Sequence, residues 1–309
     1  MFVRELTADT LEETARFIGL HEERSIALMS HLTDGRNLHM PSSEFTYYVY
    51  RNSRTGPVVA VICLSENGLV LHHTGDAVFA DDALYDAIAR DLHGALRQIP
   101  LYCILGEKRG SEFIRACTHK KTRAVIHYQL MTWQPNTAAQ ALNAYDALPA
   151  NGAVQPEKQA LQASVPLADF TLTNCCEDDA EALLPLQKEY DLVEVLQKGD
   201  KWNEDFCRLT LRKNLHTQHI IGLKAGTLFA AKAGTNAIGR QWWQLGGVFT
   251  RTEYRNKGCA AFLVEQLARM AGAEGKRTAL FVKEANTPAK AAYTKAHFTP
   301  LGQFEIIYY

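Results

Sequence analysis

Apolar positions along this chain follow two rhythms that alternate with one another. Continuous or period-two apolar runs over 45–50, 58–64, 69–72, 101–105 and 123–133 predict strands. Arg54-Thr55-Gly56-Pro57 and Asn67-Gly68 supply the turns between the early ones. Between strands the period lengthens to that of a helix. Leu11, Ala15 and Ile18, then Ile26, Ala27 and Met29, mark buried faces in a helical opening over 1–33. Leu84, Ile88, Leu92, Ala95 and Ile99 predict a helix capped by Asp82 and stopped by Pro100, and Ser111 is expected to cap a short helix reaching about Cys117.

The pattern then breaks. Prolines at 135, 149, 156 and 166, the pair Asn151-Gly152 and many alanines read as a connector, partly helical over 138–147. We therefore expect a first domain over 1–134, a connector over 135–165 and a second domain over 166–309. The second domain opens with a strand at 170–174. A helix capped by Asp178 or Asp179 follows, carrying Leu183, Leu184 and Leu186. A further helix spans 202–215, with Phe206, Leu209 and Leu211 turned inward. Strands at 219–223, 228–231 and 241–249 lead to a helix at 258–271, a strand at 278–282, a helix at 288–296 and a last strand at 304–309. Strand 101–105 and its helix match strand 278–282 and its helix at an offset of roughly 178 residues, so the fold is expected to occur twice. The class is α/β, an α+β arrangement on mixed sheet.

Length and composition agree with two globular domains: 309 residues, 47% hydrophobic and 22% charged. A net charge of −1 gives no bulk field for nucleic acid or anionic lipid, so neither is an expected partner. No apolar run approaches the ~18 residues of a membrane span. Met1 leads straight to Arg4, Glu5 and Asp9 without a signal-peptide core, which predicts a cytoplasmic protein. Seven scattered cysteines without paired spacing read as free thiols. His216-x-x-His219 lacks a third ligand and no metal is expected; Cys175-Cys176 and His72-His73 read as packing or surface residues. Trp242 and Trp243 should straddle the two faces of a strand.

The candidate chemistry lies at the turn from strand 241–249 into helix 258–271. Amides at a helix start have no intrahelical partners, and the dipole favours an anion there. Gly258 and Ala260 allow close approach while Arg255 and Lys257 add charge, a combination suited to a diphosphate. The loop has neither the G-x-x-x-x-G-K-[ST] of triphosphatases nor the G-x-G-x-x-G of dinucleotide folds. In the first half the corresponding segment, His72 to Phe79, carries an acid and no arginine and is not expected to bind an anion.

Val248, Arg255, Gly258 and Ala260, in the spacing V-x6-R-x-x-G-x-A, resemble the acetyl-CoA signature of the GNAT superfamily of N-acetyltransferases. The strand 279–282 followed by Asn286, Ala289, Tyr293 and Phe298 is similar to that family's next motif. The resemblance covers about 165–309, with 1–134 looking like a degenerate copy, and so implies a tandem GNAT-like acyl-CoA N-acyltransferase fold. It further implies acetyl-CoA as cosubstrate, its pantetheine arm on the backbone of Val248 and Phe249. The diphosphate would rest on Arg255, Asn256, Lys257, Gly258, Cys259 and Ala260. Asn286 would contact the coenzyme arm, and Tyr293 would act as general acid toward the thiolate, a role suited to a phenol of pKa ~10. The acceptor would be a small-molecule or peptide amine attacking directly in a ternary complex.

Such an amine is protonated at neutral pH and needs a base. Strand 241–249 has no carboxylate where the family commonly has one. Glu253 and Glu284 are candidates, with Glu189, Asp191 and Glu194 behind them, and the sequence assigns none. His297 stands where the family often has glycine. The alternative to an enzyme is a non-catalytic acyl-CoA-binding or interaction module. The first domain could serve as substrate lid or dimer surface, and sequence leaves the oligomeric state open.

Overall fold

The computed structural model describes residues 2–134, 169–196 and 199–309. The connector expected over 135–165 lies outside the described residues. The first half supplies β1 (Phe2–Glu5), β2 (Phe45–Arg51), β3 (Val58–Ser65), β4 (Leu69–Thr74), β5 (Cys103–Glu107) and β6 (Ala124–Trp133). The second supplies β7 (Thr171–Asn174), β8 (Ile220–Ala225), β9 (Leu228–Ile238), β10 (Trp242–Thr250), β11 (Arg277–Lys283) and β12 (Phe298–Tyr308). Among the described residues they form one mixed sheet in the order β1-β2-β3-β4-β5-β12-β6-β11-β10-β9-β8-β7. The class is α/β, as expected.

That order contains an exchange. The last strand of the second half, β12, lies antiparallel between β5 and β6, while β6 of the first half pairs antiparallel with β11. Each half thus ends its sheet on a strand supplied by the other. Among the described residues the only parallel neighbours in each half are the fourth and fifth strands, β4 with β5 and β10 with β11, which need a helical crossover to join them.

The helices cover both faces. In the first half these are α1 (Ala8–Gly19), α2 (Ile26–Ser30), α3 (Asp76–Ala80), α4 (Asp82–Leu96) and α5 (Lys108–Ala116). In the second they are α6 (Ala180–Tyr190), α7 (Glu204–Thr217), α8 (Cys259–Ala273) and α9 (Thr287–Lys295). Because both faces are covered, β3 is buried at every position and reads as an unbroken apolar run. Trp242 and Trp243 do straddle the sheet, entering different apolar clusters.

Several boundaries differ from the sequence expectation for local reasons. The cap of α4 is Asp81, whose carboxylate accepts from Leu84 N–H at 3.1 Å, with Asp82 inside the helix. Ser111 is not a cap: α5 starts earlier, capped by Glu107 on Gly110 N–H at 3.1 Å, and Ser111 is buried. On α7 the inward stripe is Cys207, Leu211 and Leu215 at a four-residue spacing, which leaves Phe206 and Leu209 each 70% exposed. The last strand starts at Phe298, not 304. Its positions 299–303 are exposed and the register shifts between Pro300 and Gly302, so no alternation announces it.

Side-chain ties, two of them centred on Glu22 and Lys276, also join the halves beside the sheet. Glu22, fully buried, accepts from the amides of Gln241 and Trp242 at 2.9 and 3.0 Å, where β10 begins. Lys276 Nζ donates to the carbonyls of Gly35 and Gly239, both at 2.7 Å. All seven cysteines are free thiols. No described helix is long and apolar enough to cross a membrane.

Candidate functional site

β10 and β11 are registered from Trp242↔Arg277 to Leu245↔Leu280 and then part, although both strands continue. On its other edge β10 bulges away from β9 between Gly246 and Phe249. Gly247 sits in this bulge at φ 59°, a left-handed conformation that a side chain would strain. The bulge is held from behind. Lys232 of β9 donates from Nζ to the Gly247 carbonyl at 3.0 Å and stands 4.7 Å from the Tyr190 ring centroid. Burial pulls the Lys232 pKa down to about 8, partly countered by Asp191, Cys175 and Cys207. The outcome is a backbone edge on β10 that neither neighbouring strand uses throughout.

Two cavities meet at this edge. The larger, about 660 Å³, runs from Val248 to Thr250 past Tyr254, Arg255, Asn256 and the first residues of α8, with α9 as its other wall. α8 starts at Gly258, φ 83°, whose left-handed turn aims the first helical amides into the groove. Arg255, Asn256, Gly258, Cys259, Ala260 and Asn286 line it together with Val248 and Phe249. Lys257 does not, since its ammonium lies 5.2 Å over the Tyr254 ring. Arg255 is held near Phe249, 5.7 Å from its centroid, by donating to the Thr250 carbonyl at 3.1 Å. Asn286 caps α9 by accepting from Ala289 N–H at 3.1 Å and lines both cavities.

The second cavity, about 290 Å³, lies where the strands have parted. It is lined by β10 from Gln244 to Val248 and by Tyr293, and also by Leu105 and Tyr128 of the first half. Val248, Asn286, Ala289 and Glu194 belong to both cavities, which therefore form one passage across the sheet. Tyr293 is buried, and burial with the nearby Tyr190 and Glu194 raises its pKa well above the usual phenol value. It is a proton donor at neutral pH.

Neither Glu253 nor Glu284 lines either cavity, and both are exposed. Of the five carboxylates considered from sequence, Glu194 is the one in the wall, its Oε2 accepting from Lys283 Nζ at 2.9 Å. Glu189 is engaged by Arg251 at 2.6 Å, and Asp191 accepts from Gln187 at 2.8 Å. Sequence reasoning missed Tyr190, Lys283, Tyr128 and the face of β12 that carries Phe304, Ile306 and Tyr308. The alternation on β12 and the doublet Gly246-Gly247 inside a strand were the available signals.

The equivalent opening in the first half is filled. β4 and β5 are registered only from Leu69↔Cys103 to Leu71↔Leu105. Beyond that point the His72 ring occupies the gap, with Nε2 2.9 Å from Ser111 Oγ. A Cβ added at Gly106 or Gly110 would stand only 2.0 or 2.5 Å from that ring. Burial pulls the His72 pKa down to about 4, so the plug is neutral.

Residues 181–298 match the profile of the Acetyltransferase (GNAT) family. Solved structures of similar fold cover the whole chain. A Drosophila protein gives a TM-score of 0.60 at 11% identity, with 99% of this chain and 98% of that one covered. A tandem GNAT protein from the clavulanic acid biosynthesis pathway gives 0.57 at 11% identity over the same shares. A GNAT-family acetyltransferase from Colwellia psychrerythraea gives 0.52 at 8% identity, with 100% of each chain covered. No curated protein matches this sequence.

Proposed function

Residues 181–298 carry a domain of the GNAT acetyltransferase family within a tandem GNAT fold, and from that premise we propose that the protein transfers an acetyl group from acetyl-CoA to an amine. The observation that carries this reading is the passage itself. A groove floored by a helix N-terminus opens, where the parallel strands part, onto a second cavity lined by a buried neutral phenol.

Such a groove fits an elongated thioester coenzyme. The α8 amides would take its diphosphate, and a helix N-terminus contributes roughly 0.3–1 kcal/mol for an anion, up to ~2 when partly buried. Exposed cations add little beyond this, which makes Arg255 secondary and Lys257, outside the groove, dispensable. The unpaired edge of β10 at Val248 and Phe249 would receive the pantetheine arm as a strand receives a neighbour. Asn286, at the junction, would border that arm.

Bound acetyl-CoA supplies an activated acyl carbonyl. The neutral amine nitrogen attacks the carbonyl carbon, the C–S bond breaks, and the thiolate takes the Tyr293 proton. The proton lost from nitrogen returns to Tyr293 through solvent, with Glu194 as its acceptor on the cavity wall. Glu253 and Glu284 could take part only through a chain of waters. Lys283 Nζ donates to Glu194 Oε2 at 2.9 Å and fixes that carboxylate on the cavity wall.

Calorimetry with acetyl-CoA tests the premise, and micromolar binding is expected. Tyr293→Phe should then lower kcat by about 100-fold or more, in the roughly 10²–10⁴ range of lost acid catalysis, with coenzyme affinity kept. No binding at high micromolar acetyl-CoA would refute the proposal. Binding without thiol release across a broad amine panel would favour a non-catalytic acyl-CoA-binding module instead.

A further inference from the structure

The inner cavity has an unusual wall. Rings of Tyr128, Tyr190, Phe281, Phe304 and Tyr308 surround it, drawn from β6, α6, β11 and β12. Phe281 and Phe304 are packed ring on ring at 3.9 Å. The phenols there are neutral, since burial raises Tyr128 and Tyr190 to about 12. Among the described residues only two charged side chains line the cavity, Glu194 and Lys283, and they pair with each other across 2.9 Å. Gln244 reaches the same cavity, and its amide oxygen is buried without a hydrogen-bond partner.

These features select among amines. A carboxylate, phosphate or second ammonium on the acceptor would be stripped of water against rings with no counter-charge to meet it. Such desolvation costs more than any one contact there returns. An aromatic body gains area burial plus the offset or edge-on contact of each well-placed ring pair. Its single ammonium can approach over the tyrosine faces. At about 290 Å³ the cavity lies under the roughly 300–1,000 Å³ of drug-sized sites, and it must also admit the acyl end.

Resting on the acetyl-transfer reading, we propose that the acceptor is a small primary amine with an apolar, single-ring aromatic body and no second charge. It is held by an aromatic chamber to which both halves contribute.

The test uses the full chain and 2-phenylethylamine as probe, against spermidine, L-lysine and glucosamine. Saturation-transfer NMR on the CoA-loaded protein reads binding, and thiol release from acetyl-CoA reads turnover. The aromatic amine should bind with its ring saturated and show kcat/KM at least 10-fold above each comparison amine. Tyr128→Ala should raise its KM about 10-fold, Tyr128→Phe should restore it, and calorimetric acetyl-CoA affinity should stay unchanged in both, which also verifies folding. If acetyl-CoA binds but spermidine, lysine or glucosamine turns over as well or better, the acceptor class is wrong and acetyl transfer stands. If acetyl-CoA binds and the aromatic amine neither binds nor reacts, the acceptor class is likewise overturned. Failure of acetyl-CoA to bind removes both readings.

Discussion

Lys232 shows what one buried residue can do for a backbone. Its ammonium is 3.0 Å from the Gly247 carbonyl and packs on the Tyr190 ring, so it fixes both the bulge of β10 and a wall of the inner cavity. A hydrogen bond from a charged donor contributes about 1.5–3 kcal/mol. Lys232→Met removes this one while keeping the stem, and kcat should fall roughly 10- to 100-fold in a steady-state assay of thiol release. Acetyl-CoA affinity should change far less, because the groove beyond Thr250 does not touch Lys232. At this scale the sequence was readable where side chains and backbone follow one local element. Gly258, Asn286 and Tyr293 belong to short motifs on a turn and a helix. Tyr190, Lys232 and Lys283 come from three elements, and only the folded sheet brings them together. The placement of His297 is local again: it follows α9 at φ 67°, where glycine is commonest and where its backbone N–H bonds to Thr294 O at 3.0 Å.

Among elements, the instructive pair is the two places where parallel strands part. β10 and β11 leave a passage, whereas β4 and β5 close on His72. From sequence, the first-half loop could be read as unfit for an anion because it has an acid and no arginine. That His72 fills the gap could not be read, because the fit depends on Gly106 and Gly110 arriving from another strand and helix. The plug carries a pH signature. Its folded pKa of about 4 lies below the ordinary 6.5, so the unfolded chain binds the proton first. Stability from this group is present above pH 6.5 and is lost as pH falls toward 4, amounting to about 3 kcal/mol. His73 is buried beside it, its pKa near 3, and titrates in the same direction. Thermal melts should therefore drop steeply from pH 6.5 downward, and His72→Leu should flatten that slope while lowering stability at pH 7. An unchanged slope would mean that the plug is not what titrates.

Over the whole molecule the exchange of β6 and β12 decides what counts as a unit. The internal repeat was legible in the order of elements, but the exchange was not. Both are antiparallel strands, and nothing along either specifies whether its neighbour is β5 or β11. Fragment 166–309 lacks β6, which separates β11 from β12, and also Leu105 and Tyr128 of the inner cavity. It is expected to give the circular dichroism and proton spectra of an unfolded or aggregating chain and no acetyl-CoA binding. Co-expression with 1–134 should restore both. A monomeric, acetyl-CoA-binding fragment would show that the second half closes its sheet by itself.

The same exchange orders events in time. Ile104 pairs with Ile307, so β5 gains its antiparallel neighbour only when the final strand has emerged from the ribosome. Until then the edges of β5 and β6 that will receive β12 are open templates for another chain, the condition under which strands swap or aggregate. Contacts this distant in sequence also slow folding, because the intervening chain must be closed before pairing repays it. The early half of this protein therefore keeps open strand edges throughout synthesis, and a single late strand joins the two half-sheets into one.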